Sequence, residues 1–185
     1  MGNRGNLHDE NQRIRRQSAR KAWVTCVLSY EGIKRPVFAP GSYSELFFLD
    51  EATAFAAGHR PCKTCQRDRH IEFKSAWLRA NKPAAGDIFT PITEIDAALH
   101  TERIRGGAKR TFTSTLSELP DGTMFEHEGA AFLLWKGRFL KWGFGGYSHG
   151  KTIPAPALVQ VLTPLSIVRM FAEGYQPTVH ESACV

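Results

Sequence analysis

The spacing of apolar residues predicts a β-rich last third of the chain. Three apolar runs between residues 123 and 144 have the length of strands, and Lys136-Gly137 has the composition of a tight turn between the last two. The neighbouring stretches lack such runs, so residues 106–122 predict a long connector and residues 145–151 a glycine-rich loop. The pattern is typical of an antiparallel sheet.

Other segments of the second half predict helices with recognisable starts. One helix has Thr90 as its N-cap and Pro91 as its first residue. Residues 156–163 predict one more strand, and the apolar segment after Pro164 predicts a helix that ends at Gly174.

The first half predicts short strands around two helices. Residues 23–30 and 33–40 are rich in β-branched and aromatic residues and favour strands. Asp50 as N-cap and Gly58 at the end enclose a short alanine-rich helix. A longer helix is expected from about Gln66 to Ala80, with its large apolar residues on one face.

The first 22 residues differ from the rest. Residues 8–22 have a helix-forming composition but only Ile14 as a large apolar residue, which predicts an exposed helix or an arm that orders on binding. We therefore predict an α+β protein: a basic arm or helix (1–22), a small Cys-containing αβ module (23–82), and an antiparallel sheet with flanking helices (83–185). The last two parts are expected to share one core.

Charge is concentrated in the first two-thirds of the chain. The formal net charge is +6, and residues 1–24 alone carry six basic and two acidic side chains, whereas residues 111–185 carry five and six. Such a basic excess favours a polyanionic partner, above all nucleic acid. A solvated basic surface that maintains solubility is the alternative.

Composition excludes several classes of protein. No apolar run approaches the ~18 residues of a membrane span, and the N-terminus lacks the apolar stretch of a secretory signal. Four cysteines are too few for a disulfide framework. We expect a protein of the reducing cytoplasm with no membrane partner. The sequence leaves the oligomeric state open.

The Cys62-Lys63-Thr64-Cys65 segment is the strongest chemical signal. Two thiolates at this spacing can bind one tetrahedral ion from a tight turn, which favours zinc. The candidates for the further ligands are Cys26, His59, His70 and Cys184. The alternatives are a redox pair, disfavoured because no βαβ pattern precedes it, and two cysteines without a shared role.

The segment FFLDEATAFAAGHRPCKTCQRDR resembles the metal-binding module of the bacterial Ada DNA-repair protein. The similarity extends from about Tyr43 to Arg69 and is most specific from Ala57 to Cys65. In that family the module binds zinc through four cysteines and contacts the DNA backbone, and one cysteine accepts a methyl group from a methylated phosphotriester. The resemblance implies a zinc site at Cys62 and Cys65 beside a basic surface.

One departure from the Ada pattern limits what the resemblance implies. The family's first cysteine pair is expected about thirty residues before Cys62, where this chain has Ser29 to Pro36 and no cysteine. The resemblance therefore does not imply methyl transfer, and Cys26 is the nearest candidate for a further ligand.

Pro61-Cys62-x-x-Cys65 also matches half of the zinc-deaminase signature. That chemistry requires an upstream H-x-E, which His8-Asp9-Glu10 supplies by letter. A helix is expected before the cysteines where a deaminase has a strand, so this interpretation is disfavoured.

Several other side chains are candidates for binding or catalysis. Phosphate contacts are expected from basic residues near the cysteines and in the arm: Arg60, Lys63, Arg67, Arg69, Lys74, Arg16 and Arg20. His149, Tyr147 and Glu126 are candidates for general acids or bases. The simpler interpretation is that they are polar residues at hairpin ends and strand ends.

The main hypothesis is a zinc-stabilised nucleic-acid-binding protein that binds DNA and acts in DNA repair or processing. The alternative is a metal-dependent or metal-stabilised enzyme acting on nucleic acid or nucleotides, as a nuclease, hydrolase or base-modifying enzyme. Its site would lie between the cysteine module and residues 143–151. A third possibility is that the cysteines only stabilise the fold.

Overall fold

A computed structural model describes residues 1–32, 36–82, 90–150, 152–154 and 157–184. It has helices together with antiparallel sheets, which confirms the α+β class. The helices and 3₁₀ turns of these residues are α1 (Glu51–Ala56), α2 (Arg67–Asn81), α3 (Ile92–Arg103), α4 (Leu165–Ala172), Leu116–Glu118 and Glu181–Ala183. No helix in the described ranges combines the length and the apolar content needed to cross a lipid bilayer.

A small four-stranded sheet is built from the first 61 residues. Its strands are β1 (Gly2–Asn3), β2 (Val24–Thr25), β3 (Glu45–Leu46) and β4 (Arg60–Pro61), arranged in the order β3-β1-β2-β4. β1 pairs antiparallel with β2 and β3, whereas β2 and β4 run parallel. The first residues of the chain are therefore an inner strand of this sheet.

A six-stranded antiparallel sheet forms most of the second half. Its order is β11-β10-β9-β8-β12-β7. The strands are β7 (Phe112–Thr115), β8 (Met124–His127), β9 (Ala130–Trp135), β10 (Arg138–Gly143), β11 (Gly146–His149) and β12 (Leu158–Val161), and a separate hairpin joins β5 (Ile104–Arg105) to β6 (Ala108–Lys109). Lys136 and Gly137 both have positive φ, as a two-residue turn between antiparallel strands requires.

The buried apolar side chains form three connected groups. Helices α1, α2, α3 and α4 bury a helical core: Phe55, Phe73, Ile95, Leu99, Ile167 and Met170. One group lies on the large sheet with Phe125 and Val161. The third contains Ala52 and Ala56 of α1 together with Met124 of β8 and Leu133 and Trp135 of β9. Helix α1 thus connects the small sheet to the large one.

Most predicted helices and strands are confirmed. Asp50 caps α1 through the N–H of Thr53, and Gly58 follows the helix with φ +78°. Helix α2 and the three strands of residues 123–144 lie where the pattern places them. Helix α3 is shifted by one residue: Pro91, not Thr90, is its N-cap, because Pro91 has an extended ψ of 143°.

Four local predictions are wrong or only partly testable. Residues 8–22 form turns and one bridge instead of a helix. Residues 106–122 contain β7 and part of the β5–β6 hairpin instead of a plain connector, and residues 145–151 contain β11. Both β7 and β11 are edge strands that are held by one neighbour, so their polar sequences carry no apolar signal. Residues 36–40 form turns, and the rest of that predicted strand lies outside the described residues.

Candidate metal centre

The parallel pairing of β2 and β4 brings Cys26 beside Cys62. Thr25 is the register partner of Pro61, so the next residues of both strands are the two cysteines. The N–H of Cys62 donates to the carbonyl of Thr25 at 2.9 Å and continues the ladder past the last pair. Two cysteines that are distant in sequence therefore lie side by side at the ends of two adjacent strands.

A tight turn into α2 adds the third cysteine. The N–H of Gln66 donates to the carbonyl of Cys62 at 3.0 Å, and the Gln66 amide Nε2 donates to the carbonyl of Thr25 at 2.9 Å. These contacts hold the turn against the end of β2. The Sγ atoms of Cys26, Cys62 and Cys65 all lie within 4.8 Å of one another.

This spacing fits a thiolate-bound metal ion. Sulfur ligands at about 2.3 Å from a tetrahedral zinc lie about 3.8 Å apart, so a small inward movement suffices. None of the four cysteines is in a disulfide. Three thiols in one place are a soft ligand set, which binds zinc, copper(I) or iron–sulfur clusters in preference to magnesium or calcium.

The environment acts differently on the three thiols. Burial raises the pKa of Cys26, and the neighbouring Cys62 and Cys65 raise it further. Burial also raises the pKa of Cys65. Burial opposes ionisation of Cys62 as well, but hydrogen bonds from the backbone N–H groups of Cys65 and Thr64 lower its pKa overall. These backbone N–H groups therefore favour the thiolate form at Cys62, the form that binds a metal.

The three cysteines line a cavity of about 540 Å³. The rest of its wall is mainly apolar and aromatic: Leu28, Tyr30, Val37, Tyr43 and Phe47. The carboxylate of Glu45 also lines it, and one of its oxygens accepts the N–H of Phe38 at 2.9 Å. A metal held by the three thiolates would therefore face a space large enough for a small molecule.

The two predicted histidine ligands lie outside this group of three. His59 is completely buried, packs against Trp23 and Phe48, and accepts a hydrogen bond at Nε2 from Arg4 at 3.2 Å. Burial lowers its pKa well below the usual value. The Nδ1 atom of His70 lies 3.1 Å from the carbonyl oxygen of Pro61.

The predicted phosphate-binding residues divide into two sets. Arg60 is buried and pairs with Asp96, and Arg69 forms ion pairs with Glu51 and Glu72. Lys74 is half-buried. The other four are exposed at the surface: Lys63, Arg67, Arg16 and Arg20, the last of which donates to the side chain of Asn3.

The three candidates for catalysis make their contacts outside the cysteine cavity. The hydroxyl of Tyr147 donates to Asp50 at 2.8 Å, and burial raises its pKa, so it anchors the start of α1. Glu126 accepts the N–H of Gly129 in a turn, and His149 is exposed on β11. None of the three lines the cysteine cavity.

The His8-Asp9-Glu10 triplet does not join the cysteines among the described residues. The Nδ1 atom of His8 contacts the hydroxyl of Ser44 at 2.6 Å, and its ring stacks on Phe38. Asp9 accepts backbone N–H groups of its own turn. Helix α1, not a long strand, precedes the cysteines, so the deaminase arrangement is not formed.

The cavity wall was not apparent from the sequence. Residues 28–47 have no regular apolar period in the sequence. Only the fold shows that side chains from 28–32 and 36–47 line the cavity beside the cysteines. The single available signal was its density of aromatic residues close to Cys26.

Comparison with known proteins adds no relative: no family model, no curated protein and no solved structure matches this chain.

Proposed function

We propose that this protein binds one zinc ion through Cys26, Cys62 and Cys65 and uses the surface beside the metal to bind nucleic acid, with DNA as the first candidate. The proximity of the three sulfur atoms carries the metal proposal. In the reducing cytoplasm, our proposed location, the cysteines stay available as thiolates. The similarity of residues 43–69 to the Ada module supports the same site.

The metal would cross-link segments that are distant in sequence. Cys26 follows β2, whereas Cys62 and Cys65 form the turn between β4 and α2. One ion at this point fixes the small sheet against the start of α2. We therefore assign a structural role to the zinc, with a fourth ligand supplied from the cavity side.

Nucleic-acid binding is supported by the groups around the cavity. Lys63 is exposed between Cys62 and Thr64, which both line the cavity, and Arg67 is exposed in the first turn of α2. The N-terminus of a long helix adds N–H groups that favour phosphate. Phe47, which lines the cavity and is 61% exposed, provides a stacking surface for bases.

We expect purified wild-type protein to contain one zinc ion per chain, because three thiolates at this spacing bind zinc strongly. Cys62→Ser and Cys26→Ser should each reduce the zinc content to a small fraction of an ion. Metal analysis by mass spectrometry measures this, and the absorption spectrum of the cobalt-substituted protein reports thiolate ligation.

Cys184→Ser is the matched control, since Cys184 is exposed and outside the group of three. It should retain all the zinc. A wild-type protein without zinc after growth in zinc-supplemented medium, or a Cys26→Ser variant with full zinc, would contradict the assignment.

We expect the protein to bind labelled DNA at low salt, with an affinity that falls steeply as salt rises. The double variant Lys63→Gln/Arg67→Gln should bind about tenfold more weakly. It should reduce the slope of log K against log salt by about 1.8 for duplex and about 1.4 for single-stranded DNA, because each lost phosphate contact removes about 0.9 or 0.7. Fluorescence anisotropy with single-stranded and duplex oligonucleotides measures both.

The double variant Lys136→Gln/Lys141→Gln removes two exposed charges from the large sheet and serves as the control. It should leave the slope nearly unchanged. Equal loss in both double variants would show attraction by net charge alone, and no binding at low salt would eliminate the nucleic-acid proposal.

A second candidate, a metal-dependent enzyme acting on nucleic acid or nucleotides, is favoured by the cavity beside the three cysteines. Catalytic zinc sites have three protein ligands and one open position. The oligonucleotides recovered from the binding assay distinguish the two roles. A cleaved or modified product that forms with the wild type and not with Cys62→Ser would show that the protein acts as an enzyme.

A further inference from the structure

A second cavity, of about 360 Å³, shares none of its described lining residues with the cysteine cavity. Three cationic side chains line it: Arg4, Arg103 and Lys109. The remaining wall consists of Gln17, Trp23, Ala57 and Ile104. Positive charge from three separate segments is thus directed at one concave site.

These cations have no carboxylate partner among the residues that the structure describes. The Arg103 guanidinium donates to the carbonyls of Gly58 and Lys21, and Lys109 Nζ donates to the carbonyls of Ala56 and Leu162, each at 2.7 Å. Arg4 Nε donates to the neutral ring of His59. Carbonyl and imidazole acceptors satisfy hydrogen bonds but do not neutralise three positive charges.

The carboxylate of Asp96, which acts on Arg103, is already engaged by another arginine. Asp96 stabilises the charge of Arg103 from a distance, but both of its oxygens accept hydrogen bonds from Arg60 at 2.7 Å. Arg103 is 2% exposed, and its Nε atom has no hydrogen-bond partner. An arginine buried with an unpaired donor in the wall of this cavity carries a positive charge that an anion bound in the cavity would neutralise.

The Trp23 ring holds the two guanidinium groups in place. The central carbon of Arg4 lies 3.7 Å from the Trp23 ring centre, and that of Arg103 lies 3.8 Å from it. Burial lowers the pKa of Arg4 to about 10 and that of Arg103 to about 9, so both stay charged at neutral pH. The aromatic stack orients these charges before any ligand arrives.

We propose that Arg4, Arg103 and Lys109 form a binding site for a phosphate monoester. Three cations favour a dianion over a chloride or a single carboxylate, and a phosphate monoester carries close to two negative charges at neutral pH. Arginine also matches the geometry of phosphate oxygens through paired N–H donors. A cavity of this size accommodates the phosphate together with part of the group attached to it.

The site neither requires the metal nor uses Lys63 or Arg67, so its test is separate from the test of the proposed function. The probe is inorganic phosphate, titrated calorimetrically at constant ionic strength against chloride. We expect saturable binding by the wild type, and Arg4→Gln and Lys109→Gln should each weaken it about tenfold or more, because each removes one charge-assisted contact. The control is Arg105→Gln. Arg105 is exposed, belongs to the β5–β6 hairpin that also carries Lys109, and does not line the cavity.

Further arms of the titration identify the source of the phosphate. A nucleoside 5′-monophosphate that binds more tightly than phosphate would assign a nucleotide. Preference for a 5′-phosphorylated oligonucleotide over its hydroxyl form would assign a nucleic-acid end. Equal affinity for all the phosphates would assign free phosphate.

The test stays decisive even if Arg4→Gln disturbs the Trp23 stack, because Lys109 lies on an exposed hairpin outside that stack. If neither variant folds, the test uses NMR amide chemical shifts of the wild type during addition of phosphate. Changes at Gly58 and Lys109 support the site. No saturable binding up to about 10 mM phosphate, a range that covers even weak sites, would overturn the proposal. Equal weakening by Arg105→Gln would overturn it as well.

Discussion

Removal of zinc with a chelator is expected to lower the melting temperature of the wild-type protein by about 10 °C. A ligand that binds only the folded state at a free concentration of 1,000 Kd stabilises it by about 4 kcal/mol. In a chain of this length each kcal/mol corresponds to about 2–4 °C. Thermal scans followed by circular dichroism, with and without chelator, measure the difference.

The physical reason for this effect lies in what the three cysteines connect. Without the metal, the backbone pairing of β2 with β4 consists of two register pairs and the hydrogen bonds that extend them, supported by side-chain hydrogen bonds of Thr25 and Gln66. Strands of two residues cannot maintain a sheet on hydrogen bonds alone. Four metal–ligand bonds at their end would therefore stabilise the small sheet and the entry into α2 at once.

The response of the variants separates a metal effect from general sensitivity to the chelator. Cys184→Ser should melt like the wild type and show the same chelator shift. Cys62→Ser should melt low from the start and show no shift. Loss of zinc from the wild type without a change in melting temperature would show that the ion does not stabilise the fold.

The stability that the metal adds should depend on pH, because its ligands are thiols that must lose a proton. Zinc binds thiolates, and burial raises the pKa of Cys26, so protons compete with the metal more strongly as the pH falls. The stability that the chelator removes should therefore grow with rising pH until the thiols no longer need to lose protons on binding.

Local signals predicted the parts of the fold and site that depend on neighbours in sequence. Helix α1 was predictable because Asp50 and Gly58 are cap residues whose preferences come from the backbone itself. The Lys136-Gly137 hairpin and the close approach of Cys62 to Cys65 follow from spacings of a few residues.

Long-range pairing decided the parts that the sequence could not predict. Cys26 meets Cys62 because two strands of two residues run parallel, and strands that short have no detectable period. His59 and Arg60 precede the cysteines and are charged or polar, yet both are buried, because Trp23, Phe48 and Asp96 come from other segments. Proximity in sequence to a metal ligand does not indicate which face a side chain takes.

The second large effect concerns the buried ion pair that the fold gives to Arg60. Asp96→Asn is expected to lower the free energy of unfolding by about 3–5 kcal/mol, because it leaves the arginine charge buried without its partner. Both side chains are nearly inaccessible, at 6% and 5% exposure, and two hydrogen bonds of 2.7 Å join them. Urea denaturation followed by fluorescence measures the change.

The matched control is Glu94→Gln. Glu94 lies on α3, as Asp96 does, and the substitution removes its ion pair with Lys82. That pair is exposed to solvent, so its loss should change the stability by about 1 kcal/mol or less. If Asp96→Asn prevents folding, the double variant Arg60→Met/Asp96→Leu remains informative. It removes both charges together and should recover much of the stability.

The same experiment also tests the earlier expectation that Arg60 contacts phosphate. If Arg60 serves only the fold, Arg60→Met/Asp96→Leu should bind DNA as the wild type does, since Lys63 and Arg67 remain in place. If Arg60 contacts phosphate, this variant would bind more weakly with a reduced salt slope. An effect of Asp96→Asn on stability as small as that of Glu94→Gln would show that the ion pair is not what fixes β4, and hence Cys62, against α3.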